Sequence, residues 1–170
     1  MNRFINALIT IDTDKVKKDY PSPSRDSKLP TAVGPSYAYM VASGATKVEN
    51  QGSWHLKFNA VVGDILRAFA ASASDNFDDD VMIYGFKSNT PNVVVTSEFA
   101  YKSYKKSIVV GKPSTPPDCE DRKFSFFEAE VIDKGTVTYN VNFALYTRND
   151  NGQPELKGYY YWDPTIEVLG

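Results

Sequence analysis

The segment Thr136–Tyr146 (TVTYNVNFALY) alternates between apolar and mainly polar side chains along its whole length. Its apolar side chains fall at every second position, and they are Val137, Tyr139, Val141, Phe143 and Leu145. A β-strand places successive side chains on opposite faces, whereas a helix would scatter these five around its circumference. The pattern therefore predicts a half-buried antiparallel strand, and its apolar face requires a second layer to cover it.

Shorter apolar alternations predict eight further strands, at residues 4–12, 37–42, 54–60, 65–71, 81–87, 93–101, 124–132 and 156–168. The strand at 93–101 is expected to continue irregularly towards residue 110, and the last strand is expected to bend at Pro164. Asp12 precedes a short segment that we predict as one helical turn near residues 14–18, because aspartate caps helix N-termini well.

Two proline-bearing segments, 20–36 and 111–123, interrupt this series of strands. Proline fixes φ and lacks a backbone N–H donor, so neither segment is expected to form a central strand, and both are predicted as loops. About nine strands with turns between them and almost no helical pattern favour an all-β fold, specifically an antiparallel β-sandwich. Jelly-roll and immunoglobulin-like topologies both fit the pattern. The length of 170 residues indicates a single domain spanning residues 1–170.

Charge and composition exclude several classes of partner. The chain carries 19 Lys and Arg against 21 Asp and Glu, so it lacks the basic footprint of a nucleic-acid-binding protein. The densest basic run, Lys102–Lys106, is short and lies among tyrosines. No apolar run approaches the ~20 residues that a membrane span needs.

The expected location is cytoplasmic. Residues 1–14 have no small-residue cleavage pattern, and we interpret them as a first strand rather than a signal peptide. Cys119 is the single cysteine, which excludes an intramolecular disulfide and fits a reducing compartment. Export by a route that needs no N-terminal signal stays open.

Several short sequence segments along the chain carry a resemblance to a known family. They are ITIDTDKVKKDYPSPS near the start, VVGDILRAFA in the middle, and NFALYT followed by GYYYWDPTI at the end. In this order and spacing the chain resembles the AidA/PixA family of bacterial inclusion-body proteins over essentially its whole length. The most specific pieces are Asp12-Thr13 with Tyr20-Pro21, Val62-Gly63-Asp64, and Tyr161-Trp162-Asp163-Pro164.

The resemblance implies a small protein that is not an obvious enzyme. Some members of the family accumulate as intracellular inclusions, and some are tied to quorum-sensing control and to host association. The resemblance implies no catalytic residue, so none is transferred to this chain.

The residues that most often carry catalysis are poorly placed for it. His55, the only histidine, falls on the exterior phase of its strand. Cys119 lies among acidic neighbours that would raise a thiol pKa and make it a poorer nucleophile. Glu128 and Glu130 share one strand face about 7 Å apart. A carboxylate pair could hydrolyse a glycosidic bond, but an exterior acidic pair is the favoured interpretation.

The loop SASDNFDDD concentrates oxygen ligands of the kind that calcium prefers. The candidate metal ligands are Asp75, Asn76, Asp78, Asp79 and Asp80. The spacing lacks the glycine and the distal glutamate of an EF-hand. The alternative is an acidic loop whose Asp and Asn side chains bond their own backbone.

The segment Tyr159–Trp162 (YYYW) is the most aromatic part of the chain. Because faces alternate, one ring set is expected in the core, and the other is either covered by the loop at 20–35 or exposed. An exposed set beside Asp or Asn could stack on a sugar. The ligand-binding candidates are Tyr160, Trp162 and Asp163, together with Trp54.

Two functions follow from these observations. The first is a non-enzymatic structural or host-interaction protein that self-associates into a homo-oligomer through sheet edges or aromatic patches. The second is a carbohydrate-binding, lectin-like module with a glycan partner, assisted by calcium. Apart from that calcium, no cofactor is expected.

Overall fold

A computed structural model describes residues 2–89, 92–108 and 118–170, and for residues 94–98 it describes the backbone alone. The described residues form twelve strands: β1 (Phe4–Ile11), β2 (Thr31–Ala32), β3 (Ala38–Ser43), β4 (Val48–Glu49), β5 (His55–Asn59), β6 (Ile65–Ser72), β7 (Asp79–Ser88), β8 (Val94–Ile108), β9 (Asp118–Val131), β10 (Gly135–Arg148), β11 (Pro154–Trp162) and β12 (Thr165–Leu169). One α-helix, α1 (Thr13–Asp19), and a 3-10 turn at Pro35–Tyr37 complete them. Among the described residues, no helix is long and apolar enough to cross a membrane.

Strand β10 is the centre of the second sheet, as its alternation predicts. All five of its apolar residues, from Val137 to Leu145, are fully buried. One edge of β10 pairs with β7, and the other pairs first with β12 and then with β11. Pro164 separates β11 from β12, and its carbonyl accepts a hydrogen bond from the Tyr139 amide at 2.9 Å. The expected bend is therefore a break between two strands that share one partner.

Two sheets enclose one apolar core. The first has the order β3-β1-β6-β9-β8, and the second has the order β2-β11-β10-β12-β5-β4 with β7 on the other edge of β10. Buried side chains from both sheets belong to one cluster. The ring of Phe86 stacks on Tyr139 at 4.3 Å and lies 6.3 Å from Phe127 of the first sheet. These aromatic contacts join the two layers of a β-sandwich.

The all-β class is confirmed, but the expectation of a purely antiparallel sandwich is wrong. Among the described strands three pairs are parallel, namely β1 with β6, β2 with β11, and β5 with β12. Alternation reports which side chains share a face and carries no information on the direction of the neighbouring strand. The count of about nine was low because β2 and β4 have two residues each, too few to show a period, and because Pro164 divides the last strand.

The predicted helical turn and one predicted loop also have clear outcomes. The short turn near 14–18 is confirmed as α1, with the Asp12 carboxylate accepting from the Lys15 amide at 3.0 Å. The loop predicted at 111–123 extends too far, because residues 118–123 belong to β9, where they pair with β8. Residues 111–117 lie outside the described part of the chain.

The turn Val62-Gly63-Asp64 connects three strands of the first sheet: it leads into β6, it bonds the residue before β1, and the Gly63 amide donates to the Val131 carbonyl of β9 at 2.8 Å. Gly63 has φ +92°, a conformation that side chains with a Cβ rarely adopt. The Asp64 side chain is 1% exposed. It accepts from the Arg3 amide at 3.0 Å, from Arg3 Nη2 at 2.6 Å and from the Val61 amide at 3.0 Å. These bonds fix the start of β1 beside the start of β6.

We expect Asp64→Asn to lower the free energy of unfolding by about 1–3 kcal/mol at pH 7, because Arg3 loses a buried charged partner. Burial raises the pKa of this carboxyl, but the hydrogen bonds from Arg3 and Val61 outweigh it, and the net pKa is lowered. The stabilisation is therefore complete above the ordinary carboxyl pKa and lost as pH falls through the folded value. Urea unfolding at pH 7, 5 and 3 should show the difference between variant and wild type shrinking with acidity.

The control for this experiment is Asp150→Asn, which removes an exposed carboxylate and should change stability by less than about 0.5 kcal/mol. A difference between Asp64→Asn and wild type that stays constant down to pH 3 would contradict the role assigned to the ion pair.

Candidate functional site

The predicted aromatic ligand site is mostly sealed. Tyr160 and Trp162 are 0% exposed and belong to the core, where Tyr160 stacks on Phe143 at 5.3 Å. Burial raises the pKa of Tyr160 to about 12. Neither ring offers a face to a sugar in this structure, so a structural role explains both better than binding does.

The loop at 20–35 lies against the same strand. The Tyr159 amide donates to the Ser24 carbonyl, and the Val33 amide donates to the Tyr161 carbonyl, each at 2.9 Å. Gly158 leaves room for this loop, since a Cβ there would lie 2.4 Å from Pro23 Cγ. The loop-cover interpretation of the aromatic segment thus agrees with the contacts of β11.

The other two ligand candidates lie together at the junction of β11 and β12. The Thr165 amide donates to the Trp54 carbonyl at 3.0 Å, which places Trp54 next to the Asp163-Pro164 break. Trp54 is 45% exposed, and Asp163 is also exposed. An open indole is compatible with sugar stacking, and the binding role of Trp54 and Asp163 stays a prediction.

The acidic loop between β6 and β7 is held mainly by its own hydrogen bonds. Asn76 Oδ1 accepts from the amides of Ser72 at 2.8 Å and Val81 at 3.1 Å. Asn76 itself has φ +62°, which asparagine tolerates better than most residues. The side chains of Ser72 and Ser74 accept from the amides of Asn76 and Asp78.

Asp79, another of the proposed calcium ligands, has a protein partner. Its buried carboxylate accepts from Lys17 Nζ of α1 at 2.5 Å. Burial lowers the pKa of Lys17, but its hydrogen bonds to Asp79 and Asp14 outweigh that effect and raise it. In the described ranges no three His, Cys, Asp or Glu side chains group as a metal site, so calcium binding here stays a prediction without geometric support.

The remaining catalytic candidates are separated. Glu128 accepts from Arg67 Nε at 2.8 Å, whereas Glu130 is exposed. His55 lies on β5 of the second sheet, with its Nε2 3.5 Å from Glu167 Oε2, and Cys119 is exposed on β9 of the first sheet. His55 and Cys119 therefore lie on different sheets, and Glu128 is engaged by Arg67 while Glu130, two residues along the same strand, faces solvent.

The feature that sequence reasoning missed is the long hairpin of β8 and β9. Strand β9 pairs with β6 only from Phe127 to Glu130, but its pairing with β8 continues to the pair Ile108–Asp118. We call the part beyond the sheet, residues 99–108 and 118–126, the β8–β9 arm. Exposed aromatic side chains lie along β8, and their exposed fractions are 54% for Phe99, 68% for Tyr101 and 60% for Tyr104. The sequence signal that could have indicated this exposed strand was the basic run Lys102–Lys106 among tyrosines.

A groove of about 900 Å³ separates this arm from the outer face of the first sheet. Its floor includes Leu8, Val41 and Phe69, and its arm side includes Phe124 and Phe126. The rings of Phe69 and Phe126 lie 5.0 Å apart where the arm leaves the sheet. Lysine and arginine side chains of the arm line the same groove, so it combines an apolar floor with a basic wall.

The comparisons with known proteins agree on one family. A family model described as PixA inclusion body protein matches residues 3–168. The crystal structure of an inclusion body protein (PixA) from Burkholderia cenocepacia J2315 is similar to this chain, with a TM-score of 0.82 and 25% sequence identity. That match covers 99% of this chain and 97% of the other. No curated protein matches the chain significantly.

The two tryptophans allow the burial pattern to be tested in solution. In Trp54→Phe the only remaining indole is the buried Trp162, so we expect blue-shifted emission and weak quenching by acrylamide. In Trp162→Phe the remaining indole is Trp54, and quenching should be several-fold stronger. Equal quenching of the two variants, both shown to be folded by circular dichroism, would contradict the sealed aromatic segment.

The acidic loop can be tested with Asn76→Gly and Asn76→Ala. Glycine keeps the positive φ but removes the side-chain hydrogen bonds, so we expect a loss of about 1–3 kcal/mol in the free energy of unfolding. Alanine should lose about 1 kcal/mol more because of its backbone strain. Thermal unfolding should not change on adding calcium or EDTA. A rise in Tm with calcium that disappears in Asn76→Gly would instead establish a metal site.

Proposed function

Because the chain belongs to the PixA family of inclusion body proteins, we propose that it is a non-enzymatic protein that self-associates through the free edge of β8. The observation that carries the proposal is the position of β8 at the end of the first sheet. The strand has 15 residues and is paired along one side by β9. Within the described residues no strand pairs with its other side, which leaves a row of backbone donors and acceptors for a second chain.

The side chains of β8 support pairing between two copies. A closed dimer requires a two-fold axis, and an antiparallel pair of β8 strands provides one. If the axis passes through Ser103, Tyr101 lies opposite Lys105 of the other copy, and Lys102 lies opposite Tyr104. This register places each lysine beside an aromatic ring and avoids direct lysine–lysine pairs.

The lysines of β8 also limit the association. Charged residues on an edge strand oppose unlimited sheet growth, and β8 carries Lys102, Lys105 and Lys106. The proposal is therefore a defined dimer as the building unit, with assembly favoured when salt screens the lysines.

A sugar-binding role is the second candidate, and the observation that favours it is the exposed Trp54, whose backbone bonds Thr165 just after the Asp163-Pro164 break. A glycan array with the wild type and Trp54→Ala, run with and without calcium, tests it. Binding that is lost in Trp54→Ala would support the candidate, and an absence of binding in both conditions would end it.

We expect the wild type to elute with a light-scattering mass of about twice the 19.0 kDa of one chain. Tyr101→Lys should shift the population to the monomer by about tenfold or more, because it removes the ring and places two lysines opposite each other. Phe77→Lys is the matched control, since Phe77 is 79% exposed and lies outside β8. A wild type that stays monomeric at high concentration would exclude the proposal.

The register has its own test. Opposed Cα atoms of an antiparallel pair lie about 4.5–5.5 Å apart, within the range that a disulfide spans. In a Cys119→Ser background, Ser103→Cys should therefore form an intermolecular disulfide under mild oxidation, whereas the exposed control Ser27→Cys should not. Equal crosslinking of the two variants would contradict pairing at Ser103.

A further inference from the structure

The groove beneath the β8–β9 arm has a feature that self-association does not use. Its apolar floor is open, with Leu8 38% and Val41 43% exposed. Two neighbouring strands, β1 and β3, supply these side chains, and Phe69 of β6 continues the surface to the foot of the arm. An apolar floor inside a concavity of about 900 Å³ is typical of a site that takes a small apolar molecule.

The register of the arm decides which of its side chains face this floor. Residues directly opposite each other in an antiparallel pair share a face. Phe126 contacts Phe69, so its face is the one turned to the groove. By alternation along β9, Phe124 and Arg122 share that face, and their partners on β8 are Lys102 and Tyr104. Phe99 and Phe127 are on the opposite face, where their rings meet at 5.4 Å.

Two cations on the groove face lack acidic partners. Within the described part of the chain, no carboxylate forms an ion pair with Lys102 or Arg122, although Arg122 lies 5.5 Å from the ring of Phe124. By contrast, Arg67 is paired with Glu128, and Lys106 lies 3.7 Å from Asp75. Lys102 and Arg122 are diagonal neighbours in the ladder, about 7–8 Å apart at the backbone, so one anionic group can contact both.

The acidic residues of the arm lie on the side of this pair that is away from the sheet. Glu120 shares the groove face and lies opposite Lys106, whereas Asp121 is on the other face and pairs with Lys105 at 3.0 Å. Asp118, Glu120 and Asp121 lie towards the far end of the arm, whereas Phe124 and Phe126 lie between Arg122 and the sheet. Along the groove, the apolar floor therefore comes first, then the aromatic wall of Phe126 and Phe124, and then the cations Lys102 and Arg122. In a chain with a net charge of −2, this local excess of positive charge favours an anion.

We propose that the groove binds an anionic amphiphile, with its hydrocarbon chain on Leu8, Val41 and Phe69 and its head group between Lys102 and Arg122. Charge complementarity selects the head, and the area of open aliphatic floor selects the chain. Among the described residues that line the groove, Asp75 is the only carboxylate, and it lies 3.7 Å from Lys106, so the lining favours an anionic head group over a cationic one. The proposal concerns the face of the first sheet and does not depend on pairing at the β8 edge, although Lys102 takes part in both.

The test is calorimetric titration of the full chain with dodecanoate below its micelle concentration. We expect saturable binding of one dodecanoate per chain that weakens as salt rises, since salt screens the head-group contact. The double variant Lys102→Gln/Arg122→Gln should bind about tenfold more weakly or worse. The matched control is Lys28→Gln/Lys87→Gln, which removes two exposed lysines outside the groove and should bind as the wild type does.

The floor is tested separately with Val41→Ser, for which we expect severalfold weaker binding, against Val62→Ser, an exposed valine outside the groove. Thermal unfolding establishes that all four variants are folded. Two further probes separate the contributions of chain and charge. Dodecyltrimethylammonium has the same chain with a cationic head, and sucrose octasulfate has anionic groups without a chain; both should bind at least tenfold more weakly than dodecanoate.

Several results would overturn the proposal. They are the absence of saturable dodecanoate binding, equal affinity for the cationic amphiphile, affinity for sucrose octasulfate that matches or exceeds that for dodecanoate, and double-variant binding equal to that of its control. The second result would indicate unspecific apolar adsorption, and the third would indicate an anion site without a role for the apolar floor.

Discussion

The burial of one face of β10 is the constraint on which this structure depends. Five consecutive inward side chains, from Val137 to Leu145, are removed from water completely, and each must find an apolar partner. Phe86 of β7 stacks on Tyr139, and Tyr160 of β11 stacks on Phe143, so both neighbours of β10 are fixed by ring packing as well as by backbone hydrogen bonds. A slip of one residue would turn this face to solvent, which specifies the register strongly.

The sequence contained the information on faces and lacked the information on directions. Alternation at 137–145 and at Ile5–Ile11 identified core residues correctly, because side-chain period follows from strand geometry alone. Parallel and antiparallel neighbours share that period, so the pairing of β1 with β6 was not predictable. For the aromatic segment, alternation indicated that one ring set is buried, and only the packing shows that this set is Tyr160 and Trp162.

The candidate sites also differ in how far the sequence could predict them. The acidic loop is formed by residues close together in the sequence, so its structure could be predicted from them. Its alternative interpretation, side chains that bond their own backbone, describes the hydrogen bonds of Asn76. The groove could not be read locally, because Leu8, Lys102 and Arg122 are far apart in the chain and only the register of the arm brings them to one surface. Prolines and aspartates near residues 113–121 also made the end of the arm look like a loop.

The parallel pairs have a consequence for how the protein is made. Strands β2 and β5, which precede residue 60, pair with β11 and β12, which follow residue 153. A ribosome releases β11 and β12 long after β2 and β5, so the second sheet cannot close until these later strands have been made. Until then the nascent chain exposes the edge of β5 and the aromatic face of β10. High contact order of this kind slows folding, and it gives a chain with such faces time to meet other copies of itself.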